Sequence, residues 1–209
     1  NAQCRWELFV MNIVEYLNNG GVYVNNNFLS EDDYTKVVEE VKSMELRPTY
    51  QPENTFYGSR FEAFPCYETD YFSHIKSNIL ITFKLQIEEL FGEPFHKFDM
   101  KLRKTLTEEV RRSAQNHKYG ITHVDQSGYA GVFYFSQSIN GGTAFFRNTF
   151  DRYPDIEIGA LPNRLVIYPA SYPHAPCTDF NTEDRYSLAM FFDTKLTWGD
   201  VAVSTLHMS

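Results

Sequence analysis

The order of the apolar patterns constrains this chain most. Helical periodicity is confined to the first part, and strand-like runs fill the rest. Val37, Val38 and Val41 form an apolar stripe over about 31–44; Ser30 is placed to cap that helix, and Glu31, Asp32 and Asp33 suit the positive end of its dipole. Ile75, Ile79, Phe83, Ile87 and Leu90 repeat at helical spacing over about 71–91, and Gly92 ends the run. A further helix is expected over 6–17. It is followed by a turn at Asn18-Asn19-Gly20-Gly21 and a strand at Val22-Tyr23-Val24 that leaves through Phe28-Leu29. Strands are then expected near 95–105, 121–125, 130–136, 143–147, 164–168 and 185–193. Helices first and strands afterwards imply an α+β chain, mainly β. Neither repeats nor a linker interrupt it, so one domain is expected over 1–209, with helical support in about 1–94 and a β core in about 95–200.

Composition removes several function classes. At 209 residues the chain can bury one well-formed core. A formal net charge of −8 argues against a general nucleic-acid binder. Lys101, Arg103, Lys104, Arg111 and Arg112 are a locally basic stretch, read here as a solvated strand and loop. No apolar run approaches the roughly 18 residues of a membrane span. Residues 6–17 carry Glu7, Asn12 and Glu15 and precede no small-residue cleavage site, so no signal peptide is expected. Cys4, Cys66 and Cys177 are odd in number and form no CxxC pair, which fits a reducing, cytoplasmic location.

The chemistry concentrates in Thr122-His123-Val124-Asp125 and Tyr172-Pro173-His174. Two imidazoles and one carboxylate can hold one face of an octahedral Fe(II) and leave three positions for a cosubstrate and oxygen. On a strand, His123 and Asp125 would point to the same side, because side chains alternate with period two. A distal strand must then bring His174 to the same point. Further on, Arg185, Ser187, Ala189 and Phe191 share one face of the strand-like run Arg185–Phe192. A guanidinium beside a hydroxyl in an apolar setting is a receptor for a carboxylate, which the planar fork can grip through both oxygens.

These motifs resemble the Fe(II)/2-oxoglutarate-dependent dioxygenases and, more narrowly, their prolyl-4-hydroxylase-like branch. The resemblance rests on His123-x-Asp125, Gly141-Gly142-Thr143-Ala144-Phe145-Phe146, the run Asn163–Pro169 leading to His174, and Arg185-x-Ser187. Together these cover about residues 117–193. Arg185 departs from the Lys that many prolyl hydroxylases carry. The resemblance implies a double-stranded β-helix, a jelly-roll sandwich of cupin-like shape buttressed by the N-terminal helices. It implies Fe(II) on His123, Asp125 and His174, with 2-oxoglutarate and O2 as cosubstrates and ascorbate as a candidate reductant. The far carboxylate of 2-oxoglutarate would sit on Arg185 and Ser187, with Tyr134 beside them. The implied reaction oxidises, in the first instance hydroxylates, an unactivated C–H bond of an amino acid, a peptidyl residue or a small metabolite, and releases succinate and CO2.

Other residues have plainer readings. Gly141-Gly142 is read as a tight turn that lets the next strand enter the sheet. Arg147, Asn148 and Tyr119 are read as rim or packing residues, His117 and His96 as loop histidines, His74 as a surface residue of the second helix, His207 as part of the tail, and Cys177 as a buried thiol. Two rival functions remain open. A nucleic-acid dealkylating dioxygenase usually carries a second Arg six residues after the first, where this chain has Phe191. A metal-binding cupin-like module without oxygenase activity would have no need of Arg185 and Ser187, and a structural zinc site prefers four protein ligands.

Overall fold

Strand Arg185–Asp193 organises the chain, pairing along its length with one neighbour on each side. The computed structural model describes residues 12–48, 66–72, 77–105, 118–120, 122–177 and 185–194. In chain order its elements are α1 (Ile13–Asn18), β1 (Tyr23–Asn25), α2 (Glu31–Ser43), β2 (Arg47–Pro48), β3 (Cys66–Glu68), α3 (Asn78–Phe91), β4 (Lys97–Thr105), β5 (Tyr129–Tyr134), β6 (Ser138–Phe145), β7 (Ile156–Ala160), β8 (Arg164–Pro169), β9 (His174–Pro176) and β10 (Arg185–Asp193). A seven-stranded antiparallel sheet runs β1-β8-β5-β10-β4-β3-β2, and a three-stranded sheet runs β7-β6-β9.

The strands follow from alternation. Leu188, Met190 and Phe192 of β10 are fully buried on the outer face of the large sheet. There they join Met100 and Leu102 of β4, Phe133 of β5, and Leu165 and Ile167 of β8. The apolar stripes of α2 and α3 cover this face through Val37, Val41, Ile79, Phe83, Ile87 and Phe91. Phe133 is the hub, with ring centroids 4.8 Å from Phe83 and 5.1 Å from Phe135. The opposite, inner face meets the small sheet: Ala130, Tyr134, Val166 and Tyr168 pack with Phe145 and Ala160. Two sheets face to face, with helices on one outer side, make the expected jelly roll.

The helices are capped as their sequences predict, with one shifted start. Ser30 Oγ accepts the Asp33 N–H at 3.2 Å, and Gly92 ends α3 in the left-handed conformation at φ 72°. The helix expected over 71–91 begins at Asn78, because Ser77 caps it through the Ile79 N–H at 3.1 Å. His74 and Ile75 lie outside the described residues, as do residues 6–11 of the helix expected over 6–17, whose remainder falls largely in α1. The first 94 residues supply more than helices: β1, β2 and β3 extend the large sheet at its two edges. Strands β7 and β9, of five and three residues, were not expected from the sequence.

Gly141-Gly142 is not a turn. Both glycines lie inside β6, whose register against β7 shifts between Ser138 and Thr143. A Cβ on Gly142 would overlap the Ile158 carbonyl, so close strand approach explains the residue. No helix among the described residues is long and apolar enough to cross a membrane.

Candidate metal centre

The strand expected over 121–125 is reduced to a single β-bridge, in which His123 exchanges both backbone hydrogen bonds with His174 at 2.9 Å. The chain then turns off the ladder, and the Asp125 N–H binds the Ala170 carbonyl at 2.8 Å, beyond the end of β8. Alternation along one strand therefore does not align His123 with Asp125. The β8–β9 connection does so by gripping the segment at both residues.

The three side chains nonetheless converge, and their ligand atoms lie within 4.8 Å of one another. Asp125 stands between the histidines: Oδ2 is 3.3 Å from His174 Nε2, and Oδ1 is 3.9 Å from His123 Nε2. His174 Nδ1 lies 2.9 Å from the Tyr172 carbonyl, which can only accept, so Nδ1 carries the proton and Nε2 presents its lone pair to the cluster. Phe145, Tyr168 and Tyr172 wall the buried His174: the Tyr168 centroid is 4.7 Å from it, and Tyr172 packs on Phe145 at 5.4 Å. His123 is exposed, Asp125 half-buried and His174 buried, so the group runs from mouth to interior. Two imidazole nitrogens and one carboxylate suit Fe(II), and among the described residues no fourth side chain joins them as a closed zinc site would require.

Deeper between the sheets lies a second buried polar group. Arg185 and Ser187 are buried on the inner face of β10, and Tyr134 of β5 pairs in register with Ser187. Arg185 Nη1 donates to the Gly142 carbonyl at 3.2 Å and the Cys177 carbonyl at 3.4 Å, which ties the guanidinium to the small sheet. The Tyr134 hydroxyl lies 2.6 Å from Thr143 Oγ1. Burial pushes its pKa up to about 12 even though Arg185 pulls the other way, so it remains a neutral donor. Burial likewise pushes the Cys177 thiol up to about 12, against Arg185, and keeps it inert as a nucleophile.

The remaining candidates fall away from this interior. Tyr119 packs edge-on to Phe146, in a cluster with Ala144 and Cys177 on the other side of the small sheet, and its hydroxyl bonds Glu157. Arg147 is exposed and pairs with Asp155 at 3.4 Å, and the Asn148 side chain caps the turn at Phe150. His96 is exposed beside β4, while His117 and His207 lie outside the described residues. Sequence reasoning missed Tyr168 and Thr143, although their places two residues from Val166 and Phe145 on alternating runs put them on the inner face. It also misjudged Lys101 and Arg103. They are not on a solvated strand but half-buried on the inner face of β4, both bound to Glu68. Arg111 and Arg112 are not among the described residues.

No protein-family model matches the sequence, and no curated protein does. Solved structures do match. A Pseudomonas putida prolyl-4-hydroxylase superposes with a TM-score of 0.63 at 13% identity, covering 88% of this chain and 97% of its own. A prolyl hydroxylase of Trichoplax adhaerens, solved with a hypoxia inducible factor peptide fragment, gives 0.62 at 13%, covering 92% and 91%. A non-heme α-ketoglutarate-dependent epimerase from nogalamycin biosynthesis gives 0.60 at 10%, covering 87% and 79%. The chain shares its jelly-roll fold with 2OG-Fe(II) oxygenases, prolyl-4-hydroxylases among them.

Proposed function

We propose that this chain is a single-domain Fe(II)- and 2-oxoglutarate-dependent oxygenase. Its reaction would oxidise, most simply hydroxylate, an unactivated C–H bond of an amino acid, a peptidyl residue or a small metabolite. The observation that carries the reading is a juxtaposition: a His-Asp-His donor group and a buried Arg-Ser-Tyr receptor open onto the same interior between the two sheets. A metal-storing module needs the first and has no use for the second.

His123, Asp125 and His174 would hold Fe(II), and Arg185, Ser187 and Tyr134 the far carboxylate of 2-oxoglutarate. Bound there, iron supplies the one-electron chemistry that couples decarboxylation of the keto acid by O2 to C–H oxidation, with ascorbate as a candidate reductant. The chain does the rest. The Tyr172 carbonyl fixes the His174 tautomer. The aromatic wall of Phe145, Tyr168 and Tyr172 keeps the inner ligand dry. Charge is balanced: a divalent ion, one Asp, a dianionic cosubstrate and one Arg sum to zero, as a site of low dielectric requires. Cys66 and Cys177 are buried thiols that are not joined in a disulfide, which supports a reducing, cytoplasmic setting.

Anaerobic titration of the chain with Fe(II) and then 2-oxoglutarate tests this. The expected result is a visible absorption difference that requires both and is lost in His174→Ala, followed by succinate release once O2 is admitted. Tight iron binding with no response to 2-oxoglutarate would instead favour the cupin-like metal-binding module.

A further inference from the structure

Outside the metal group and the carboxylate receptor, the inner face carries one more polar cluster. Lys101 and Arg103 are two residues apart on β4 and share that face. Arg103 stands opposite Ser187 of β10 on one side and Glu68 of β3 on the other. Lys101 Nζ is 2.8 Å from Glu68 Oε2, and Arg103 Nη2 is 2.5 Å from Glu68 Oε1. These are sheltered groups, with side-chain exposures of 10% for Glu68, 18% for Lys101 and 32% for Arg103. Among the described residues, these two cations share one carboxylate, in a chain that is acidic as a whole. A partly desolvated cation in that position favours an anion.

The cluster borders a cavity of about 430 Å³ lined by Glu68, Lys101 and Tyr71, with Arg47 and Asp70 at its exposed edge. Arg47 and Asp70 lie 3.9 Å apart and offset each other. Asp99, next on the same face, is opposite Phe191. Lys101 Nζ sits 5.2 Å from the Tyr71 ring centroid, and that ring meets Phe191 edge-on at 6.5 Å. Phe191 packs on the inner aromatic cluster of Tyr134, Phe145 and Tyr168, so side-chain contacts run from the cavity wall to the walls of the metal group. Tyr168 links them: its ring packs on His174, and its buried hydroxyl feels Asp125 and Arg103.

In the oxygenase reading, on which this step rests, iron, Asp125, 2-oxoglutarate and Arg185 already balance. The cluster of two cations and one carboxylate is left for the substrate. We infer that Lys101 and Arg103 bind a carboxylate of the substrate, with Glu68 as the internal counter-ion that the substrate partly displaces. The substrate is then a small carboxylic acid, either a free amino acid or the C-terminal residue of a peptide.

The test is calorimetric. The chain loaded anaerobically with Fe(II) and 2-oxoglutarate is titrated with the common free L-amino acids, with the same compounds as C-terminal amides, and with dipeptides. At least one acid is expected to bind about ten-fold or more tightly than its amide, and Lys101→Met and Arg103→Gln are each expected to weaken it by about ten-fold. Affinities for Fe(II) and 2-oxoglutarate should stay within about two-fold of wild type. Glu68→Gln should tighten the acid, because the competing carboxylate is gone; an ion-pair cluster of purely structural role would only weaken. Preference for free acid or dipeptide identifies the source of the carboxylate, and either supports the inference. It is overturned if no acid is preferred to its amide, if Glu68→Gln weakens binding, or if Arg103→Gln loses 2-oxoglutarate as well. Failure of wild type to bind 2-oxoglutarate at all sinks the oxygenase reading and this inference with it.

Discussion

The two faces of the large sheet are built from the same strands and behave as different materials. On β10 the outward residues are Leu188, Met190 and Phe192, and the inward ones begin with Arg185 and Ser187. On β4, Met100 and Leu102 point outward while Lys101 and Arg103 point inward. The outer face is closed by the three helices and by a set of largely edge-to-face rings around Phe133 and Phe192. Among the described residues, the inner face is closed by a three-stranded sheet, and it holds imidazole, guanidinium, hydroxyl and carboxylate groups. One residue of alternation thus separates the groups that keep the chain folded from those assigned to chemistry. A large apolar area on one face is what lets the other carry buried polar groups, each of which needs a partner to be tolerated.

Substitutions should separate the faces. His123→Ala, at the exposed mouth, is expected to cut succinate release by at least about 10³-fold, worth some 4 kcal/mol of barrier, by removing a proposed ligand of the iron. Its denaturant midpoint should barely move, since substitutions at such positions shift stability by about 0.5 kcal/mol or less. Phe133→Ala is the mirror image. Loss of a fully buried ring from the outer core should cost about 3–5 kcal/mol of stability, while iron affinity measured on the folded fraction stays that of wild type. Arg185→Ala comes next. Removing the charged fork should raise the apparent KM for 2-oxoglutarate on the order of 100-fold, about 2.7 kcal/mol, with iron binding retained. Arg185→Lys keeps the charge without the fork and should fall between. Equal loss of iron and cosubstrate in the Arg185 variants would show that the receptor and the metal group are not separate functions of the inner face.

Much of this division is legible in the sequence, and its failures have physical causes. Alternation marked β4, β5, β8 and β10, and the Ser30 cap and Gly92 marked two helix boundaries, because these signals are local. Residue type singles out His123, Asp125 and His174, but strand alternation does not account for their convergence. Their alignment depends on backbone bonds from His123 to His174 and from Asp125 to Ala170, which no period within 121–125 encodes. The Gly141-Gly142 pair looked like a turn because glycine signals freedom and close approach with the same letter; the Ile158 carbonyl decides between them. Lys101 and Arg103 looked solvated because their shelter comes from Glu68, a residue on a three-residue strand too short to recognise.

The smallest effect probes the polar face by pH. Tyr134 is fully buried and its pKa is raised from 10.0 to about 12, chiefly by burial. The unfolded chain therefore releases this proton first, and native stability is complete below pH 10 and declines as pH rises toward about 12. The slope from this residue alone is about 1.4 kcal/mol per pH unit. Cys177, raised from 9.0 to about 12, adds a decline of the same sign that begins lower. Tyr134→Phe removes the first contribution and leaves the second. At neutral pH the variant should be the less stable by about 1 kcal/mol, because Thr143 Oγ1 loses its partner in a buried place. In denaturant melts taken at increasing pH, the two stability curves should approach and meet at about pH 11, where the loss in wild type equals the cost of the missing bond. Parallel curves would mean that the hydroxyl reaches water and that the interior between the sheets is wetter than its aromatic lining implies.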